Sequence, residues 1–436
     1  MMNLQRFQQN LDSLARFFLY LLIFWIPFSN AVIESCVITV FFLWLVKKSL
    51  SASPGALKNL TAKKKIQEFL RGFKVKGSFL NIPIAVFLYM GLLSALWSRA
   101  PFQSLHGLIS KTLEWFVIYF LVLEFFTEKK YIIVALAVFL FSAVSVCADS
   151  LIQFYITGKD VFFGYASTER ATACFYTGNG LGGYLLFALS LSAGFFIAET
   201  KNKPKTIIFG LIFLLAFWVL VITFSRGAWV AMAFGAVAFL FFKKRILSYL
   251  LMLCLVVLAV DFFFILPSDI KQKIRIDPQE MLGTAGWRRD VWQDSLKMVR
   301  DKPWLGHGPN TFMKIFQQDQ YRRRPENRSY DPTYAHNCYV QMAAEVGLLG
   351  LGCFLWILGR FFRNIGRMIL DKRIQDRSGL KMILLGLLIG SFSFCVHSFL
   401  DTHFYSLKLS SLFWFIMGLS VCLHKILSQP EICDIT

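Results

Sequence analysis

The chain is poor in charge. Of its 436 residues only 17% are Asp, Glu, Lys or Arg, 56% are hydrophobic, and the mean hydropathy is +0.56. A soluble globular domain carries roughly a quarter charged residues, so this balance excludes an ordinary cytosolic enzyme. The 47 phenylalanines exclude a disordered chain. The nine cysteines contain no C-x-x-C pair and no metal-ligand spacing, which leaves them as small apolar packing residues. Cys174 and Cys338 both fall near one face, but spacing alone does not connect them. There is no Asp-x-Asp and no carboxylate pair in a short loop. Hard divalent cations need several oxygen ligands, so no dedicated metal site is expected, and no cofactor. No repeat of fixed period occurs, and no small-x-small cleavage site follows the apolar stretch after Arg16. The net charge of +20 comes with no nucleic-acid-binding motif.

What the sequence has is long apolar runs. They lie at 17–29, 31–46, 79–97, 112–126, 131–156, 179–198, 206–223, 227–242, 246–266, 338–359, 381–399 and 407–424. Several alone reach the ~20 residues a helical span takes, while the first two are short. The first two flank Pro27-Phe28-Ser29-Asn30 and read as a tight helical hairpin. The expected fold is an all-α polytopic membrane protein of about twelve spans. Residues 1–266 hold the first nine, 267–337 form one large loop with short helices, and 338–436 hold the last three.

The basic residues orient this layout. With the N-terminus on the cytoplasmic side, that side receives Lys47–Lys76, Lys129-Lys130, Lys201–Lys205, Lys243–Arg245 and Arg360–Lys381. Together with the termini they hold more than half of the 46 Lys and Arg. The opposite short loops carry only Arg99, Lys111, Lys159, Arg170, Arg226 and Lys408. The positive-inside rule therefore places both ends in the cytoplasm, and the basic stretches read as topology signals and anionic-lipid contacts. Within the large loop, Trp292, Leu296 and Val299 recur at helical spacing in the run Asp290–Arg300, and Arg322-Arg323-Arg324 form a basic cluster.

Ionisable groups in or near a bilayer are functional candidates by default. For Glu34, Glu114, Glu124, Asp149 and Asp261 the simpler reading is a cap or an interhelical hydrogen bond. Arg226 differs, because it opposes the charge trend in the short outer turn Thr223-Phe224-Ser225-Arg226-Gly227. Its planar fork suits a phosphate, and Gly227 permits close approach of a ligand. Arg288 and Arg289 are adjacent, so only one faces a site; Arg288 lies one turn before Trp292 on the apolar face. Arg170 precedes Gly178-Asn179-Gly180 and either pairs with Glu169 or reaches a ligand. His336 lies where the large loop re-enters the membrane, and Gly347-Leu348-Leu349-Gly350 follow on the same helix. An imidazole there could accept a proton from a sugar hydroxyl near neutral pH. His307, in Gly306-His307-Gly308, is the rival base. His397, Asp401 and His403 would support the site from behind. Convergent arginines, a histidine and no metal suit transfer from a lipid-linked diphosphate donor to a hydroxyl.

These residues resemble a known family. His336-Asn337, nine residues, then Gly347-x-x-Gly350 is similar to a signature of the bacterial O-antigen ligases and their polymerase relatives. Ser225-Arg226-Gly227-Ala228-Trp229 resembles their Arg-bearing turn. Arg288-x-x-x-Trp292 and Pro303-Trp304-Leu305-Gly306-His307-Gly308 resemble the start of their large periplasmic loop, and Arg170 to Leu181 resembles an upstream element. The resemblance implies a GT-C-type glycosyltransferase of the bacterial inner membrane, with its active site facing the periplasm. It would move a polysaccharide from undecaprenyl diphosphate to a sugar hydroxyl of lipid A-core, inverting and without metal, completing lipopolysaccharide. It makes Arg226, Arg288 and His336 catalytic, with Arg226, Arg288, Arg289 and Arg170 toward the diphosphate. Asn337, Asn179, His307 and Asp401 would support them. The Val230 that follows the Arg-bearing turn stands where ligases often have Leu, which leaves the subfamily open. A polymerase joining repeat units on the same carrier is the alternative. A lipid-linked glycan flippase would show two matched halves with broken helices, and none is seen.

Overall fold

The computed structural model describes residues 2–51, 75–167, 169–242, 278–318, 321, 333–374 and 378–429. The apolar run 246–266, the expected boundary at 266/267, Asp261, the basic clusters Lys243–Arg245 and Arg322–Arg324, and residues 52–74 lie outside the described residues.

Apolar composition and scarce mid-segment Gly or Pro produce helices throughout. They are α1 (Met2–Trp25), α2 (Asn30–Ser51), α3 (Asn81–Leu96), α4 (Pro101–Gly107), α5 (Glu114–Phe125), α6 (Lys129–Ile152), α7 (Gly178–Ala198) and α8 (Lys203–Ile222). After them come α9 (Arg226–Phe242), α10 (Pro278–Asp301), α11 (Phe312–Phe316), α12 (Cys338–Leu370), α13 (Ser378–His397) and α14 (Leu407–Ser428). No strand occurs among the described residues; Lys159 and Ala166 form an isolated antiparallel bridge. Among the described residues seven helices are long and apolar enough to cross a membrane: Asn30–Leu50, Lys129–Thr157, Gly178–Ala198, Lys203–Ile222, Cys338–Leu370, Ser378–His397 and Leu407–Ser428. Asn81–Leu96 and Arg226–Phe242 are apolar but shorter. The chain is thus an all-helical, multi-pass membrane protein. The α1–α2 hairpin forms around Pro27–Ser29 as the sequence indicates. The apolar run at 112–126 instead divides into a π-helical turn, Leu108–Leu113, and the short α5.

The core gathers around α14, whose Phe413, Trp414 and Phe415 are fully enclosed. Trp414 meets Phe116 at 4.6 Å between ring centroids, and Phe404 meets Phe413 at 4.9 Å. Such contacts matter here because lipid is as apolar as the helix faces, so association rests on packing and hydrogen bonds. α7 and α13 pack against each other with glycine at the seam. A Cβ on Gly194 would lie 2.7 Å from the Met382 carbonyl oxygen, and one on Gly386 2.6 Å from that of Ser190. At the end remote from His336, the buried Glu124 gathers Lys48 at 3.3 Å and Lys47 at 3.7 Å, while its carbonyl accepts from Lys76 Nζ at 2.9 Å. Glu124 thereby ties α5 to α2 through its carboxylate and to the segment before α3 through its backbone carbonyl.

The long segment before α12 folds down on the helix ends. Here the structure corrects one expectation: the Gly347–Gly350 motif does not simply continue a helix from His336. Gly347 has φ 73° and ψ 177°, a conformation reserved for glycine, and α12 breaks there. The break frees backbone groups, and Pro303–Gly308 supplies their partners. Leu348 N donates to Pro303 O (2.7 Å), His307 N to Ala344 O (3.0 Å) and Gly308 N to Glu345 O (2.7 Å). The two motifs are halves of one contact.

Candidate functional site

The turn between α8 and α9 carries Arg226 at the first position of α9. Phe224, two residues earlier, has φ 51°, a left-handed turn that reverses the chain within a few residues. Ser225 is buried and donates through Oγ to Asn179 Oδ1 at 2.8 Å, while Arg226 remains exposed. Gly227 lies against His397: a Cβ on it would sit 3.0 Å from the imidazole Cδ2 and 3.4 Å from Leu400 Cβ. Close approach is therefore required there, although by the protein's own histidine.

Asn179 passes the contact on. Its Nδ2 donates to Asp401 Oδ2 at 2.6 Å. The other Asp401 oxygen accepts from His336 Nδ1 at 3.2 Å and from the Thr402 amide at 2.8 Å. Asp401 thus joins α7, the α13–α14 turn and the residue before the α12 cap. An ionised carboxylate accepts only, so the shared proton belongs to His336 Nδ1, and Nε2 is the ring nitrogen that Asp401 leaves free. Burial alone would raise the Asp401 pKa. The His336 hydrogen bond, the charges of His403 and His336 and the Thr402 amide outweigh that and hold it below the usual carboxylate range.

His336 itself has φ 49°, a conformation sparsely populated by non-glycine residues. It is held from both sides. Trp287 stands edge-on at 5.1 Å between centroids, and Trp292 Nε1 donates to Ala335 O at 3.0 Å. Asn337 caps α12, accepting from Tyr339 N (3.0 Å) and Val340 N (3.1 Å). The side chain thus acts on the backbone of its own helix.

Behind this layer His397 Nδ1 and His403 Nε2 share a proton at 2.8 Å, and His397 Nε2 lies 3.5 Å from Ser225 Oγ. Burial pushes the His403 pKa down, Asp401 partly restores it, and Arg288 lowers it again. Arg288 is therefore within electrostatic reach of the histidine pair, and its Nε is buried without a partner among the described residues. Arg289 points away, largely exposed and 3.7 Å from Asp290. Arg170 is exposed, with its stem 3.3 Å from where a Cβ of Gly178 would be. Ala171 N donates to Ile222 O, which brings Arg170 beside the turn that holds Arg226.

His307 lies elsewhere. It is fully buried, its Nε2 donates to Met298 O at 3.1 Å, and its ring meets Tyr321. Its place is under the Pro303–Gly308 contact. Cys174 and Cys338 are both free thiols; Cys338 Sγ donates to Asp401 O at 3.3 Å. Among the described residues no group of three or more His, Cys, Asp or Glu is placed to hold a metal ion.

Sequence reasoning missed two contacts. Nothing indicated that Asp401 would bridge Asn179 to His336, or that Trp287 would face His336. The available signal was the density of His397, Asp401 and His403 in one short turn of an otherwise apolar region.

An apolar groove of about 770 Å3 opens beside this centre. It runs between α9, α12 and α13 from Phe242 and Phe362 to Phe399 and Leu400, the residue before Asp401. The arrangement joins an apolar channel, exposed and half-buried arginines, and a carboxylate-held imidazole.

Comparison with known proteins agrees with the motif resemblance. Residues 211–355, which include Arg226, Arg288, His307 and His336, match the sequence model of a family described as O-antigen ligase. A protein of Rickettsia typhi, provisionally named polysaccharide ligase, is 27% identical over 233 residues, covering 50% of this chain and 55% of that one. Proteins of the same name from Rickettsia conorii and Rickettsia prowazekii are each 24% identical, over 222 and 238 residues. The first covers 48% of this chain and 52% of its own, the second 50% and 55%. The chain spans about half the length of the curated relatives it matches.

Proposed function

We propose that this protein is an O-antigen ligase of the bacterial inner membrane, of GT-C type. It has about twelve spans, both termini in the cytoplasm and the His336 centre facing the periplasm. The donor is a polysaccharide on undecaprenyl diphosphate, and the acceptor is a sugar hydroxyl of lipid A-core. The observation that carries this reading is the Asn179–Asp401–His336 chain of hydrogen bonds beside Arg226 and Arg288.

In this reading the isoprenoid tail occupies the apolar groove, and Arg226 and Arg288 hold the diphosphate at its mouth, with Arg170 and Arg289 at the rim. The acceptor hydroxyl oxygen attacks the anomeric carbon from the face opposite the diphosphate. The bond from that carbon to the phosphate oxygen breaks, and undecaprenyl diphosphate leaves with the electron pair. The arginines stabilise the charge gathering on the leaving oxygen. His336 Nε2 takes the hydroxyl proton while Asp401 holds the ring by Nδ1, so the anomeric configuration inverts without a metal ion.

The test is a reconstitution of purified protein with lipid-linked polysaccharide and lipid A-core in EDTA. A glycan ladder on the core that vanishes in His336→Ala supports the ligase reading. Longer lipid-linked chains with no ladder would make the protein a polymerase. A strict requirement for a divalent ion would remove the metal-free mechanism.

A further inference from the structure

A second cavity, of about 390 Å3, shares no lining residue with the apolar groove and is bounded by the Leu108–Leu113 turn, α12 and the start of α14. Its size falls within the range of small-molecule sites, roughly 300–1,000 Å3. Its lining is mixed. Trp115 and Phe404 give an aromatic surface, while His106, Ser110, Lys111 and Thr112 give donors and acceptors. Glu34 adds a carboxylate, and the neighbouring Glu114 Oε1 is buried without a partner among the described residues.

The local backbone is unusual. The Leu108–Leu113 turn is π-helical, a form that occurs mostly as single turns inside α-helices and often at functional sites. The rim is pinned by Asn310, which has φ 58°. Its carbonyl accepts from Gln103 Nε2 at 3.1 Å, its Oδ1 accepts from Lys111 Nζ at 2.8 Å, and its amide donates to Glu345 Oε2 at 3.0 Å. Gly107 leaves the room for this, since a Cβ there would lie 2.3 Å from Asn310 Cβ. The cavity is thus held open by the same long segment that carries Arg288 and ends at His336. Tyr405 lines it, and the Tyr405 ring is 6.2 Å from that of Tyr334, two residues before His336.

We propose that this cavity is the acceptor site, taking a hydroxyl-rich sugar ring of the acceptor glycolipid and presenting it to His336 past Tyr334 and Tyr405. This rests on the glycosyltransfer reading above. A lipid tail would waste the polar wall, whereas a sugar uses both surfaces: its C–H face against Trp115 and its hydroxyls on Ser110, Lys111 and Thr112. Donor and acceptor then occupy separate cavities, which leaves the acceptor hydroxyl free to meet the anomeric carbon on the face away from the diphosphate, as inversion requires.

The test uses the full chain in lipid nanodiscs with purified lipid A-core as probe, first without donor and then with saturating lipid-linked polysaccharide. Two variants are compared with the wild type: the double change Ser110→Ala, Thr112→Val, and Lys111→Met. The double change keeps the loop contacts and controls for loss of the Asn310 tie in the second. The expected result is a lipid A-core Kd and acceptor KM raised about tenfold, as for the loss of one or two hydrogen bonds, with donor KM and kcat unchanged. If the wild type transfers to core and both variants keep the wild-type Kd and acceptor KM, the cavity assignment is overturned and the ligase reading stands. Should the wild type bind lipid A-core, lose it in the variants, yet make no ladder, the ligase reading fails and the cavity assignment stands. A wild type that neither binds core nor modifies it overturns both.

Discussion

The Asp401 carboxylate accepts a hydrogen bond from His336 Nδ1 at 3.2 Å while its second oxygen accepts from Asn179 at 2.6 Å. One acidic side chain therefore fixes the ring orientation and the tautomer of the histidine, and ties both to the turn that bears Arg226. Asp401→Asn keeps the size but can offer a donor in place of an acceptor. Transfer should fall by about two or more orders of magnitude, as when an imidazole is held in the wrong tautomer. Donor binding should change little, whereas the melting temperature should fall with the loss of the carboxylate's stabilisation. Normal kcat in this variant would take Asp401 out of the mechanism.

Arg226→Lys tests the fork rather than the charge. A lysine is a point charge and cannot make two parallel bonds to a phosphate. Insertion should be normal, because Arg226 is exposed at a helix start, and most transfer should be lost. Wild-type rates would show that the diphosphate is held elsewhere.

The two candidate histidines should separate cleanly. His336→Ala should abolish transfer with an unchanged melting temperature. His307→Ala should instead destabilise the fold by about 1–3 kcal/mol, because it strands the buried Met298 carbonyl. The check is thermal unfolding in detergent beside the ladder assay. The reverse pattern would move the base to the Gly306–Gly308 turn.

Stability should also follow pH in a definite direction. Burial lowers the pKa of both His307 and His403 in the folded protein. Below the unfolded value of about 6.5 the unfolded chain binds protons that the folded one refuses. The melting temperature should therefore fall as pH drops through 6.5, until the folded values are passed. Asp401 acts in the opposite range: its stabilisation is present above about 3.9 and is lost only at lower pH. His307→Gln, which keeps a donor toward Met298, should flatten the neutral-to-acid slope in a melting series. An equal slope would mean that His307 does not report this titration.

Much of this was legible in the sequence. Period and hydropathy place α6, α7, α8, α13 and α14 to within a few residues, because long apolar runs have few other fates, whereas α12 begins where expected at Cys338 but runs on to Leu370, well past 359. The α1–α2 hairpin follows from Pro27. The count of about twelve spans is less secure as a reading of helices, since the run at 112–126 splits at a π-helical turn that no residue pattern announces. At the site, motif spacing brought out Arg226, Arg288 and His336. Of the two adjacent arginines, Arg289 is exposed, as its solvated helix face indicates, and Arg288 is within electrostatic reach of the histidine pair. What the sequence could not show was long-range pairing. Asn179 and Asp401 are 222 positions apart, and only the packing of α7 against α13 makes them neighbours.

Gly347 shows the same limit in a single residue. Read as a letter in a signature it looks like helix packing, whereas its dihedral angles make it a break. Gly347→Ala should be severe, since the backbone conformation alone costs about 1–3 kcal/mol for a residue with a Cβ and that carbon would lie 2.1 Å from Trp304 O. Gly350→Ala meets only its own helix's Val346 side chain and should be milder. Expression and melting temperature of the two variants check the order.

The break also divides labour along α12. Below Gly347 the helix belongs to the bundle and answers to lipid and neighbouring spans. Above it, the short stub that begins at Cys338 is held on one side by Pro303–Gly308 and on the other by the end of α13, where Cys338 N donates to Ser398 O at 2.9 Å and the Tyr339 hydroxyl to Cys395 O at 2.8 Å. Substitutions in the long segment therefore bear on the aim of the imidazole from one side, while α13 holds the other.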